Sequence, residues 1–510
     1  MKKPQPRTSP ATAPYLMASV FLSGAVCLVL EIAGSRLIAP FYGSSIYTWS
    51  AMITVTLVAL AIGYAWGGRL ADRYPHLTQF ARLLTAAGLT LAAIPWLRSP
   101  VLTASLPLGI RLGALASACV LIGPTLTLLG SLGPVAVRLT ATGAADSGRR
   151  SGDTWAISTA GSVAGAMLTG FVLIPMFPIS KILFAAAALL LALGALGSWL
   201  SSRALPLGEL AACAACLCLV VRPTAVPNSN LVARESAYGR IAVFDTADHR
   251  YLLVNGTSQS VMEKKNGESQ SQYVHALEWS RALRPKAARA LVIGLGAGLL
   301  PKALERRGLV VDSIEIDPAI EETARKNFGF KPRGRVLIGD GRALLRLHPE
   351  TWDLIFLDAF GSESPPTHLF TLEAFAQVRE RLTPDGVFAV NLISITSGPN
   401  DRPWKSVFRT LSASFPHVRV FIGGDSNSEL ANILFFASAG SLDAQTPPAS
   451  DRVSKDIALM ISRELSPSPA ALDEVPILSD DFAPLDAMVA ATSSRWRRLL
   501  QQAMPEVLLN

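Results

Sequence analysis

The chain has 510 residues, 50% hydrophobic and 16% charged, with a mean hydropathy of +0.36. Such a length and composition exclude a wholly soluble single domain and point to a membrane protein with a soluble part. The net charge is +8, yet lysine and arginine are scattered or sit at the ends of apolar runs, so they read as membrane topology and no nucleic-acid partner is expected.

Apolar stretches near 15–38, 48–68, 80–97, 108–132, 154–177, 182–200 and 205–221 approach the ~20 helical residues that cross a hydrocarbon core. Six are read as spans and 205–221, which contains Glu209, as a marginal seventh. Basic residues at Lys2, Lys3, Arg7, Arg69, Arg73, Arg82, Arg138, Arg149, Arg150 and Arg203 mark alternate connections as cytoplasmic, against Arg98, Arg111 and Lys181 on the other side. Six spans leave the soluble part in the cytosol, and a true seventh would reverse that. Glu31 and Arg36 lie within the first span, where charge is costly. Gly161-Ser-Val-Ala-Gly165 permits close helix packing, read as intramolecular. All five cysteines precede residue 219, in the apolar half, with no zinc-ligand spacing, so neither a metal site nor a disulfide in the soluble part is expected. "GGRLADRYP" (67–75) resembles a transporter loop, which alone argues weakly for transport.

A Pro/Asn/Ser linker follows at 222–232. Alternating segments then predict a small β-hairpin domain over 233–285. From 286 to 440 strands near 289–294, 311–316, 335–339, 353–358 and 386–392 alternate with helices, which predicts a Rossmann-like parallel α/β sheet. Two further strands near 418–438 close it, and a tail over 441–510 is expected to cover part of the site. The predicted fold is thus a transmembrane helical bundle (1–221) fused to a small β domain and a Rossmann-like, methyltransferase-type domain.

Ligands of such sheets sit at the carboxyl ends of the strands. There the first strand carries Gly294, Gly296 and Gly298, the second Glu315, the third Asp340-Gly341 and the fourth Asp358. Glycines let the backbone approach a ligand near a helix N-terminus, and Glu315 suits a carboxylate accepting hydrogen bonds from both ribose hydroxyls. Asp340 could accept from an adenine amino group. Each acid alone could merely cap the next helix; four successive strand ends with this content make coincidence much less plausible.

The motifs "VIGLGAG", "SIEIDP", "IGDGRALL" and "WDLIFLDAFGSESPP", in that order, resemble the spermidine synthases, or polyamine aminopropyltransferases, over roughly 236–438. "EIAGSRLIAPFYGSSIYTW" (31–49) resembles the membrane-fused members. The resemblance implies decarboxylated S-adenosylmethionine as co-substrate with no tightly bound cofactor, a small-molecule amine acceptor, a lipid bilayer and a homodimer. It assigns Asp358 to proton transfer, with Gly294, Gly296, Gly298, Glu315, Asp340, Gly341 and Pro365 on the nucleoside and Tyr273 on the acceptor. The chain departs from the family at Ala297 and Gly361, where acids are usual, at Gly239 for a glutamine, and at Tyr273-Val274. Glu363, Asp480 and Asp481 are therefore expected to form a replacement acidic rim, and His275 to be a packing histidine. One rival is an S-adenosylmethionine methyltransferase, disfavoured by Val292 where an acid is common; another is a transporter or sensor that binds adenosyl or polyamine ligands without turnover.

Overall fold

The computed structural model describes residues 12–42, 46–141, 143, 146–222, 231–361, 364–424, 430–444, 450–492 and 495. The chain divides near residue 225 into two compact units, an N-terminal helical one and a C-terminal α/β one.

Among the described residues of the helical unit, five helices are long and apolar enough to cross a membrane: Thr12–Tyr42, Ile46–Arg73, Leu77–Leu108, Ser147–Met176 and Ile179–Ser202. Arg111–Leu121 and Gly123–Thr140 meet at 53° and would make a sixth crossing if taken as one span. Pro124 explains the bend, since it has no N–H to donate into the preceding turn. Helix Leu207–Val221 is shorter, and its Glu209 accepts a hydrogen bond of 3.1 Å from Ser198 Oγ. The 161–165 stretch packs within the chain as expected: a Cβ at Gly161 would overlap the Phe21 carbonyl, and one at Gly165 the Ala25 carbonyl. Glycine there lets the two helix backbones touch.

In the second unit the chain first forms a four-stranded sheet, β1 (Leu231–Glu235), β2 (Arg240–Asp245), β3 (His249–Val254) and β4 (Thr257–Glu263), in chain order. Ile241, Val243, Leu252 and Met262 pack on Ala297, Leu299, Ile320 and Phe328, which seats this sheet beside the glycine turn. An eight-stranded mixed sheet follows: β5 (Arg289–Ile293), β6 (Val310–Glu315), β7 (Val336–Ile338), β8 (Trp352–Leu357), β9 (Leu382–Ile395), β10 (His417–Ile422), β11 (Leu430–Ser438) and β12 (Glu464–Leu465). Its order is β12-β10-β11-β9-β8-β5-β6-β7. The five strands from β9 to β7 run parallel, and β11, β10 and β12 extend the sheet antiparallel.

The parallel strands are almost continuously apolar because both faces are covered. One face packs Leu300, Leu304, Ile457 and Met460 against Val292, Phe356 and Phe436. The other packs Leu345, Phe375, Val407 and Leu411 against Ile355, Phe388 and Phe435. Sequence and structure differ at several places, among them the end of the expected β domain at 233–285, where helices Gln272–Leu277 and Ser280–Leu283 stand. β9 starts at Leu382, ahead of the strand expected near 386–392, and Thr383–Gly386 carry no ladder partner where pairing with β8 shifts between Trp352 and Leu354. β12 is a two-residue edge strand with no expectation behind it.

Candidate active site

Strand register sets the level of the site. Ile293 lies opposite Ile314 on β6 and Leu357 on β8, so Gly294, Glu315 and Asp358 follow side by side at the carboxyl ends of adjacent parallel strands. The ladder continues one step beyond the strands, with Gly294 N–H donating to Ile314 O and Asp358 N–H to Ile293 O, both at 2.9 Å.

Gly294, Gly296 and Gly298 have φ of +94°, +54° and +72°, so each turn residue occupies the left-handed region that glycine alone enters at little cost. A Cβ at Gly294 would also overlap the Asp358 carbonyl oxygen. The turn leads into helix Leu299–Arg306. Ser260 Oγ on β4 accepts from the Ala297 amide at 3.1 Å, which fastens the turn to the smaller sheet. Ala297 is fully buried, so the position that lacks the family's acid faces packing.

Glu315 is buried, and its two oxygens accept from Leu295 N–H at 3.0 Å and Asp317 N–H at 2.9 Å. Burial raises its pKa, and the two amides partly offset that. A carboxylate has about four lone-pair sites, so these bonds aim the group and leave capacity for two hydroxyls. Asp340 caps helix Gly341–Leu347 through Ala343 N–H at 2.9 Å, and its second oxygen lies 2.7 Å from His368 Nε2. Burial would raise the Asp340 pKa, but the Ala343 amide and the His368 ring outweigh it and bring it below the usual value. A Cβ at Gly341 would press on Ile293 at the end of β5.

Asp358 Oδ1 accepts from Asn391 Nδ2 at 2.8 Å, and Oδ2 from the Tyr273 hydroxyl at 3.3 Å. Burial pushes the Asp358 carboxyl up to about 6, against the opposing pull of those two donors. Burial and the neighbouring Asp358 charge hold the Tyr273 phenol well above its usual range, which keeps it a donor. A carboxylate near 6 is mostly ionised at neutral pH yet basic enough to take a proton, as a general base requires.

The structure thus brings Gly294, Gly296, Gly298, Glu315, Asp358 and Tyr273 together, with Asp340 and Gly341 at the next strand end. Pro365 is buried in the segment that follows β8, where Gly361 N–H donates to Ser364 O at 2.8 Å. Glu363 lies outside the described residues. Asp480 is held by Arg342 through two bonds of 2.6 and 2.7 Å and by Thr371 Oγ1 at 2.8 Å. The Arg342 guanidinium keeps its carboxyl down at about 2, so Asp480 already has a cation inside the fold in place of the one expected from an acceptor. Asp481 is exposed. His275 is buried with Nδ1 2.7 Å from Asp456, the packing role expected of it.

Ser260, Arg342, His368, Asn391 and Asn432 went unnoticed in the sequence. Only Asn391 gave a local signal, as the one amide in the apolar run "GVFAVNLI" at the level of the other site residues.

No protein-family model matches the chain. Over 194 residues it is 31% identical to the polyamine aminopropyltransferase of Vibrio vulnificus, a match covering 35% of this chain and 65% of that protein. It therefore spans just under two thirds of that relative's length. Over 208 residues it is 32% identical to the eEF1A lysine and N-terminal methyltransferase of Bos taurus, covering 37% of this chain and 28% of the other. Among solved structures, the spermidine synthase of Thermotoga maritima aligns with 50% of this chain and 87% of its own at 23% identity and a TM-score of 0.35. The α/β half of the chain is thus similar in sequence to polyamine aminopropyltransferases.

Proposed function

We propose that the protein is a membrane-anchored aminopropyltransferase that moves an aminopropyl group from decarboxylated S-adenosylmethionine to an amine such as putrescine. The observation that carries this reading is the half-buried Asp358 carboxyl at the end of β8, beside a glycine turn and a second carboxylate aimed by main-chain amides. Glu315 would hold the ribose, Asp340 and Gly341 the adenine side, and Pro365 the wall of the thioadenosine site. The acceptor arrives as an ammonium, which is not a nucleophile. Asp358 attracts the cation and accepts its proton, and the freed nitrogen attacks the donor's aminopropyl carbon next to sulfur. A C–N bond forms, the C–S bond breaks with its electrons returning to sulfur, and methylthioadenosine leaves. The sulfonium supplies the leaving group, so the protein's tasks are positioning and proton transfer.

Calorimetric titration with methylthioadenosine tests the division of roles. Glu315→Gln removes a charged acceptor, and hydrogen bonds to charged groups are worth roughly 1.5–3 kcal/mol, so nucleoside affinity should fall by about 10- to 150-fold. Asp358→Asn should keep that affinity and lose turnover. Equal loss of affinity in both variants would sink the assignment.

A methyltransferase is the second reading, favoured by the match to the eEF1A methyltransferase and by Ala297 standing where an acid would bind the donor's amine. Non-catalytic binding by a transporter or sensor would leave Asp358 without a proton to move.

A further inference from the structure

Register places two amides in line with Asp358. Leu357 pairs with Val390, so Asn391 on β9 lies beside Asp358; Ile393 pairs with Asn432, which brings the β11 amide to the same face and the same end of the sheet. Asn391 Nδ2 donates to Asp358 Oδ1 at 2.8 Å, and Asn432 Nδ2 donates to Asn391 Oδ1 at 2.9 Å. Asn391 is 1% exposed and Asn432 half-buried.

An ionised carboxylate only accepts, so Asn391 must turn its NH₂ toward Asp358. Its carbonyl then faces β11 and requires a donor, which fixes the Asn432 amide in turn. The direction of both amides therefore follows from the charge on Asp358. A self-satisfied pair of amides serving only the fold would be replaceable by an apolar pair of similar shape at little cost, because removing both partners of a buried hydrogen bond is nearly neutral.

We propose that Asn391 and Asn432 form a two-residue positioning relay that holds Asp358 Oδ1 and leaves Oδ2 as the oxygen that takes the acceptor's proton. This rests on the reading of Asp358 as the base. The Tyr273 contact to Oδ2 is long at 3.3 Å, at the weak end of hydrogen-bond geometry, so the arriving amine can displace it. Tyr273 is the titratable group that faces Asp358 among the described hydrogen bonds. Neither amide is a catalytic residue, since both act through Asp358.

The test reads the Asp358 carboxyl itself by pH-difference infrared spectroscopy of the full chain in detergent. Its band is identified by its loss in Asp358→Asn, and no turnover is needed. Asn391→Leu removes the donor and should raise the titration midpoint by about one pH unit, within the range that hydrogen bonds to a carboxylate supply. Asn432→Leu should shift it the same way by less, because Asn391 keeps its donor but loses the bond that aims it. Asn391→Gln should restore part of the wild-type midpoint, which a merely structural role would not do. If Asn391→Leu does not fold, Asn432→Ala at the half-buried position carries the same sign. A wild-type midpoint in Asn432→Leu or Asn432→Ala would overturn the relay. Turnover of the unsubstituted protein with the decarboxylated donor and putrescine is measured alongside: its absence with the shifts intact would refute the aminopropyl reading and leave the relay standing.

Discussion

Asp358 and Glu315 are carboxylates at the ends of β8 and β6, on either side of β5, and under the proposed function their surroundings divide the work between them. Glu315 has both oxygens fixed by main-chain amides and is suited to hold. Asp358 has side-chain donors, one of them weak, and a carboxyl raised to about 6, and is suited to take a proton. With Asp358 as the proposed base its ionised form is the active one, so kcat should climb as pH rises through about 6 and level off above it; a kcat indifferent to pH between about 5 and 7 would remove Asp358 from the rate-determining proton transfer. Gly294 carries a separate expectation. Its left-handed φ costs an L-residue about 1–2 kcal/mol and its Cβ would strike the Asp358 carbonyl, so Gly294→Ala should lower Tm and weaken methylthioadenosine binding together. A thermal melt and a calorimetric titration at the wild-type values would show that the turn has room to spare.

At the scale of elements, the segment around Asp480 is pinned to the helix that starts at Gly341. Arg342 is mostly buried and its carboxylate partner is 45% exposed, so the pair acts as a clasp between the tail and the sheet. Asp480→Asn should cost about 1–3 kcal/mol of stability by leaving the guanidinium short of its acceptor, with the acceptor KM unchanged. The sign with pH is fixed: a carboxyl depressed to about 2 stabilises above its unfolded value near 4 and loses that as pH falls between them. The Tm gap between wild type and Asp480→Asn should therefore narrow from about pH 6 toward pH 3; a gap that widens would exclude the pair as its source. This clasp also shows where sequence reading stopped. The parallel strands announce themselves as apolar runs closed by Gly, Glu, Asp and Asp, and those strand ends carry the candidate site. Arg342 and Asp480 are 138 residues apart, and nothing local couples them. Thr383-Pro384-Asp385-Gly386 have no ladder partner, since pairing with β8 moves from Trp352↔Leu382 directly to Leu354↔Val387, an irregularity that only the paired strand reveals. Asn391 and Asn432 look like ordinary polar interruptions until register aligns them with Asp358.

For the whole molecule, the sequence changes composition at about residue 221 and the structure divides near residue 225 into a helical and an α/β unit. The number of crossings was harder to read, because Pro124 bends one apolar stretch and the last helix is short. Leu207–Val221 has 15 residues, about 22 Å of helix against a hydrocarbon core of about 30 Å. With the bent pair as one span, six crossings would return the chain to the side of its N-terminus. A cytosolic donor requires that side to be the cytosol, so a reporter fused after Arg222 should behave as cytoplasmic, and periplasmic activity of that reporter would count against the proposed substrate. The most direct test of the chemistry gives the purified full chain equal amounts of decarboxylated and intact S-adenosylmethionine with putrescine and identifies the products by mass. Expected are an acceptor heavier by one aminopropyl group and an equal amount of methylthioadenosine, both lost in Asp358→Asn; an acceptor heavier by one methyl group, with S-adenosylhomocysteine released, would contradict aminopropyl transfer.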